Sequence, residues 1–435
     1  MTDSVRYGAL ARSLACATLA LAAVAASAQP AEVRIGVIYD MTGPLATAGG
    51  YPAYLGTKYA IDMVNAAGGV EGRMIKPIYV DAQSKVDVAI NEAERLLNLE
   101  HVDILLGVFP SSQCVPLAQK VEEAKRFMWV TVCTSSAVFK NRNLKYVFRP
   151  QVHSEQFGPT SCGFLESNAK SRLGTEPKDL RVAIIYEDSP AGVGISDSNE
   201  TACKSRGMPI VLKEGYSAST PDLSALITKL KRARADVILH TGQNQDIALF
   251  LRQAKEQGLK WKALLGFGAG YGQVNKLYAT VQNDADYIFD VEPIGAHLLD
   301  PATLAPGLGK LIDEMVRRYK ADARTEEISP HLSMGFNGAW IFLNDVLPRA
   351  IKKTGGASPD ALREAALATD IPEGGTIMGF GVKFYPPGHP MAGQNERSSV
   401  PMVQYVGGKT YIVEPAKIRT REPVLPLPKG HTFAP

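Results

Sequence analysis

Between His101 and Ser136 two apolar runs alternate with two polar clusters, and this alternation frames the rest of the chain. Val102 to Leu106 reads as a buried parallel strand. It ends in Gly-Val-Phe-Pro and then the pair Ser111-Ser112. Val115, Ala118, Val121 and Ala124 follow on one face of a helix. A second apolar run, Met128 to Val132, ends in Thr134-Ser135-Ser136. Two parallel strands joined by a helix carry both hydroxyl clusters to the carboxyl edge of one sheet, where open α/β sheets bind ligands. Hydroxyls and free N–H groups beside helix starts suit an anion, most simply a carboxylate. A single cluster of this kind is an ordinary turn or N-cap. Two neighbouring clusters point to a small-molecule site.

The same rhythm extends in both directions. Arg34 to Tyr39 is a first strand, followed by a loop through Thr42-Gly43-Pro44 and Gly49-Gly50. Leu55, Tyr59, Ala60, Met63 and Val64 recur at helical spacing, and Gly68-Gly69 closes that helix. Ile78 to Val80 is the next strand, and Ser84 is placed to cap a helix with Val86, Ala89, Ala93 and Leu97 inward. The pattern breaks at Tyr146–Gln151 and restarts. Val182 to Tyr186, Ile210 to Leu212, Val237 to Leu239, Ala263 to Leu265 and Tyr287 to Val291 read as strands. Helices are expected over Gly192–Arg206, from Thr220-Pro221-Asp222 with Leu223, Leu226, Ile227 and Leu230 inward, and over Asp246–Gln257. Residues 308–369 turn helical without intervening strands, with Ser358-Pro359-Asp360 as a clear start. Two further apolar runs, Val400 to Val406 and Tyr411 to Val413, precede a final segment, 415–435, that holds five prolines. That segment is expected to be extended or mobile. The fold class is therefore α/β, with two doubly wound parallel-sheet lobes.

Composition changes this picture little. A chain of 435 residues that is 45% hydrophobic and 21% charged is ordinary globular protein, and a formal net charge of +3 gives no reason to expect nucleic acid. The N-terminus is more informative. Arg6 and Arg12 precede the small apolar stretch Leu14–Ala26, and Ala26-Ser27-Ala28 fits a signal-peptidase site, so residues 1–28 read as a secretory signal cleaved before Gln29. The mature chain is then periplasmic, with no membrane insertion after cleavage. Cys16 lies too early in the apolar stretch to be a lipid-anchored cysteine. Cys114, Cys133, Cys162 and Cys203 remain, and export permits disulfides among them. Cys162 and Cys203 fall on helices of one region and form the favoured pair; buried free thiols are the alternative.

Enzymatic machinery is missing. There is no G-x-S-x-G, H-E-x-x-H or P-loop pattern, and no two histidines have metal-ligand spacing. Cys133 has no base that sequence can identify, and His240 ends a strand where a satisfied histidine is commonplace. The stretch Gly266-Phe-Gly268-Ala-Gly270-Tyr-Gly272 is rich enough in glycine to cradle a phosphate, but the distant acid of a dinucleotide site is absent. No cofactor and no metal are expected, and the protein is not read as an enzyme.

An exported chain of two α/β lobes without catalytic groups resembles the type I periplasmic solute-binding proteins of ABC transporters, in particular the branched-chain amino acid (leucine/isoleucine/valine-binding) group. The resemblance covers Val33 to Val413 and rests on Ile35-Gly36-Val37 through Thr42-Gly43-Pro44, Asn65 through Gly72, Gly107 through Ser112, and Thr131 through Ser135. It implies three hinge crossings, near Arg149–Val152, near Asp290–Pro293 and within 385–400. Lobe 1 would comprise 29–150 plus 291–395, and lobe 2 would comprise 151–290 plus 396–414, followed by the 415–435 tail. It also implies a ligand captured by lobe closure and a membrane permease as partner. A sensor subunit reporting to a signalling partner is the alternative.

Carried over residue by residue, Ser111 and Ser135 match positions that hold a ligand carboxylate, and the Cys133 carbonyl matches one that accepts from an ammonium group. Ser112 and Thr134 complete the lobe 1 side. The acid that pairs with the ammonium falls near Gly268, where no carboxylate stands, and the family's tyrosines fall near Ala48, Ala191 and Gln243. Ala191, Gln243 and Gly268 are thus the expected lobe 2 contacts. These departures favour a carboxylate ligand without an α-amino group, walled by Phe109, Phe267 or Tyr271. An ordinary amino acid would instead place its ammonium on Glu187, Asp188 or Glu292.

Overall fold

The computed structural model describes residues 32–323 and 327–435; the signal peptide inferred above lies outside them. Two sheets organise the molecule. The first holds β1 (Val33–Tyr39), β2 (Ile75–Asp81), β3 (Ile104–Gly107), β4 (Phe127–Val130) and β5 (Val147–Phe148), in the order β2-β1-β3-β4-β5. All its pairings are parallel. The second holds β6 (Val182–Glu187), β7 (Ile210–Tyr216), β8 (Val237–Thr241), β9 (Ala263–Phe267), β10 (Phe289–Val291), β11 (Met402–Val406) and β12 (Lys409–Glu414). Its order is β12-β11-β10-β9-β8-β6-β7, with β11 and β12 antiparallel at one edge. The strand β2 runs longer than its apolar stretch predicts and contains Pro77, which an edge position tolerates.

Helices cover both faces of each sheet, as near-continuously buried strands require. The helical stretch after β10 returns to the first lobe. Its helix Pro330–Ile341 lies against Tyr51–Ala66, and the backbones touch. A Cβ on Gly56 would stand 2.1 Å from the Leu332 carbonyl, and one on Gly335 would stand 2.1 Å from that of Ala53. Residues 330–341 are buried almost all round, which is why the segment shows no amphipathic stripe.

The chain crosses between lobes beside itself. Arg149 bridges to Gln394, with Arg149 N–H on the Gly393 carbonyl (2.9 Å) and Asn395 N–H on the Arg149 carbonyl (3.0 Å). The side chains of Gln394 and Asn395 donate to the carbonyls of Gln151 and Pro150. A third passage leaves β10, and the Ala296 N–H is held by Ser333 Oγ.

Two local expectations need correction. Ser84 does not cap its helix. It sits at φ +60°, its N–H donates to Asp40, and its Oγ bridges Leu45 N–H and the Thr42 carbonyl, so it ties the loop after β1. The Thr220-Pro221-Asp222 start is displaced to Ser224, whose N–H binds the Asp222 carboxylate. The tail is extended, and it is packed: Leu425, Leu427 and Phe433 are buried, and the Phe433 ring stacks on Trp261. Its prolines prevent a helix or a ladder, while its apolar side chains still find the second lobe.

Candidate functional site

The site forms where strand ends face each other across the two lobes. A cleft of about 370 Å³ is lined from the first lobe by Leu45 after β1, Phe109–Ser112 after β3, and Val132–Thr134 after β4. His331 and Met334 close its floor from the Pro330–Ile341 helix. From the second lobe come Glu187–Ser189 after β6, Ser217–Ser219 after β7, Thr241 and Gln243 after β8, Gly268 after β9 and Glu292 after β10. Most contributors lie at or just past the carboxyl end of a strand or at a helix start, where the chain must turn and free its N–H groups, while Ile195 and Met334 come from the second turns of their helices.

Backbone strain marks the root of the Phe109–Ser112 loop. Gly107 has φ +125°, and a Cβ there would meet the Ile38 carbonyl at 2.4 Å. Val108 follows at φ +72°, a region a β-branched residue avoids at a cost of ~1–3 kcal/mol. Two hydrogen bonds hold it there: its N–H on the Ile38 carbonyl, and its carbonyl taking the Cys133 N–H. The turn throws Ser111 and Ser112 onto the first turn of the Ser111–Glu123 helix.

The two hydroxyl clusters meet. Ser135 N–H donates to Ser111 Oγ at 3.1 Å, and the Cys114–Cys133 disulfide staples the start of the helix to the loop after β4. The Cys162–Cys203 pair favoured from sequence is also present. Both bridges remove the free-thiol alternative, and Cys133 is no nucleophile.

The second lobe supplies acids. Both oxygens of Glu187 are held by Ser189, and burial raises its pKa while those bonds and Gln243 partly offset the rise. Asp246 lies behind Gln243, accepts from Tyr216 Oη, and is raised to about 6 by burial. Glu292 accepts the Gly268 N–H and is raised to about 7 by burial, with that bond opposing. Asp290 beneath it is raised by burial first and by the Glu292 charge second. Asp188 is exposed at the mouth. Among the described residues no lysine or arginine lines the cleft, and His331 is held neutral by burial, its pKa down at about 4.

Among the described residues no cluster of His, Cys, Asp and Glu is arranged to hold a metal, and no helix is long and apolar enough to cross a membrane. Two lobes with a groove of strand ends between them have the build of a receptor for a small solute. The periplasmic binding protein family matches this chain over residues 32–405. The chain belongs to that family.

This binding protein is 32% identical to a Leu/Ile/Val-binding protein homolog of Brucella suis over 94% of its own length and 98% of the relative's. It superposes on the branched-chain amino acid binding protein LivJ of Streptococcus pneumoniae, solved with isoleucine, with a TM-score of 0.68 and 19% identity. That match covers 88% of this chain and 100% of the other. A solute-binding protein of R. palustris solved with 4-hydroxybenzoate also superposes, at a TM-score of 0.68 and 17% identity, covering 88% and 95% of the two chains. The family is one of solute binding, not of catalysis.

The positions singled out in the binding protein's sequence divide in two. Ser111, Ser112, Cys133, Thr134, Ala191, Gln243 and Gly268 line the cleft. Ser135 does not. It is buried, and its Oγ accepts the Ala137 N–H and donates to the Pro190 carbonyl of the other lobe. Ala48 is buried outside the cleft, its carbonyl taking Gln273. Phe267 and Tyr271 are fully buried and offer no wall to the cleft, whereas Phe109 does. The glycine-rich stretch cradles no phosphate, because the Gly268 N–H is spent on Glu292.

The neighbourhood of Gly268 is therefore not without an acid. Glu292, twenty-four residues on, delivers its carboxyl there from the next strand. Sequence spacing conceals this, because β9 and β10 are neighbours in the sheet but separated by a helix in the chain.

Proposed function

We propose that this protein is the solute-capturing component of an ABC uptake transporter. Its ligand is a small molecule with a carboxylate at one end and a hydrogen-bond donor at the other, most simply an apolar α-amino acid. The carboxylate would sit on the lobe 1 side, on the hydroxyls of Ser111, Ser112 and Thr134 and the N–H groups beside them. The donor would meet Glu292, with Glu187, Gln243 and Ala191 closing around it. One observation carries this reading: among the described residues the cleft is lined by three acids and no cation, so the bound solute must itself bring the positive or donating group. The 32% identity to Leu/Ile/Val-binding homologs supports the same class.

A hydroxyaryl acid is the second reading. It is favoured by the Cys133 carbonyl, which already takes the Arg149 guanidinium at 2.8 Å and so is a poor seat for an ammonium group. In either case the lobes, 29–150 plus 291–395 and 151–290 plus 396–414, would close about the crossings near Arg149 and Asn395. A permease would then read the closed form.

Calorimetry separates the readings. L-Leucine or 4-hydroxybenzoate should bind, and leucinamide and 4-hydroxybenzamide should not. Binding of either amide as tightly as its acid would contradict the proposal.

A further inference from the structure

Among the described residues Arg149 is the only guanidinium whose whole side chain stands among the largest fully buried groups, and its environment is unusual for a charge. It has no ion pair among the described residues. Its partners are neutral acceptors: the carbonyls of Cys133 (2.8 Å) and Ser135 (2.9 Å) and the Gln394 side chain (2.6 Å), with the Phe139 ring below. Nη2 has no hydrogen-bond partner. Burial lowers the guanidinium pKa to about 9, which leaves it protonated at neutral pH. A buried cation without a counter-ion is costly and persists where the fold holds it for a purpose.

The two carbonyls give the purpose. In a planar trans peptide the C=O and the following N–H point in opposite directions. With the Ser135 carbonyl turned to Arg149, the Ser136 N–H points away and is taken by Ser154 Oγ at 3.0 Å. With the Cys133 carbonyl turned to Arg149, the Thr134 N–H also points away, on a residue that lines the cleft, and it donates to no group among the described residues. We infer that Arg149 is a specificity-determining residue: it clamps the 133–135 loop so that the Thr134 N–H faces the bound solute, and its uncompensated charge makes that end of the cleft select an anion.

This deepens the proposal above, and it rests on that reading for the identity of the anionic end. The same guanidinium ties the site to the hinge, since it binds Gln394 on the adjacent crossing.

A test independent of the natural solute uses acetate and acetamide as probes on the ¹⁵N-labelled mature protein. Acetate should shift the Thr134 amide resonance saturably, and acetamide should not. In R149Q the acetate response should weaken by roughly tenfold or more, the scale of a charge-assisted hydrogen bond. R149K, which keeps the charge but loses the Nε–H donor that anchors the guanidinium to Gln394, should retain a preference for acetate with lower affinity, and it serves if R149Q does not fold. Equal response to acetate and acetamide in the wild type, or an unchanged acetate response in R149K and R149Q, overturns the inference. Failure of both leucine and 4-hydroxybenzoate to bind, with the acetate response intact, would instead count against the ligand class alone.

Discussion

Glu292 carries the chemistry of the second lobe. Its pKa of about 7 lies above the usual carboxylate range because it is buried, and a ligand ammonium or hydroxyl would favour its ionised form. The sign follows from linkage. Below pH 7 binding must expel a proton from Glu292, so affinity falls as pH falls, approaching about tenfold per unit well below 7, and levels off above it. Calorimetry between pH 5.5 and 8 in buffers of different ionisation heat checks both the slope and the released proton. Glu292→Gln keeps an acceptor for the Gly268 N–H but loses the charge, and should weaken an ammonium-bearing ligand by about 2 kcal/mol, ~30-fold, while flattening the pH profile. At the other end, Ser111→Ala removes the acceptor of the Ser135 N–H and a hydroxyl from the cleft, and should cost ~1–3 kcal/mol of affinity. At this scale the sequence was half legible. Hydroxyls after apolar runs announced Ser111, Ser112 and Thr134, because strand ends are local. Glu292 and Arg149 acquire their meaning from partners 24 and 245 residues away, which no local pattern encodes.

At the scale of elements, the two disulfides make a controlled comparison. Cys114–Cys133 joins the helix start and the loop that face the solute, and Cys162–Cys203 joins the helices Phe157–Ala169 and Pro190–Ser205 within the second lobe. Replacing either pair by serines should lower stability by ~2–4 kcal/mol, read as denaturation midpoints. Only the Cys114→Ser/Cys133→Ser variant should also lose ligand affinity; equal losses of affinity in the two variants would mean the first bridge has no part in shaping the site. Most strands and helices were readable from apolar runs and from starts such as Ser358-Pro359-Asp360, whose Ser358 Oγ accepts the Ala361 N–H. Ser84 and Thr220-Pro221-Asp222 both have the composition of caps, but distant partners claim the polar groups of Ser84, while Asp222 turns its carboxylate to the Ser224 N–H and starts the helix two residues later. The tail is extended, one of the two states its prolines allow. Its prolines predict no regular structure, yet Phe433 stacking on Trp261 anchors it without any.

For the whole molecule, two lobes meet at crossings knitted by Arg149, Gln394 and Asn395, and contacts such as Ser135 Oγ to the Pro190 carbonyl exist only when the lobes approach. Ligand should therefore draw the population toward the compact form, seen as a fall in radius of gyration by small-angle X-ray scattering. The central claim is that one solute is held between the lobes with its carboxylate on the first and its donor on the second. A crystal structure of the protein with the solute it retains on purification tests this most directly. The account predicts the carboxylate within hydrogen-bond distance of Ser112 and the Thr134 N–H and the donating group on Glu292. A solute seated with its carboxylate on the second lobe, or lying outside the cleft, would contradict it.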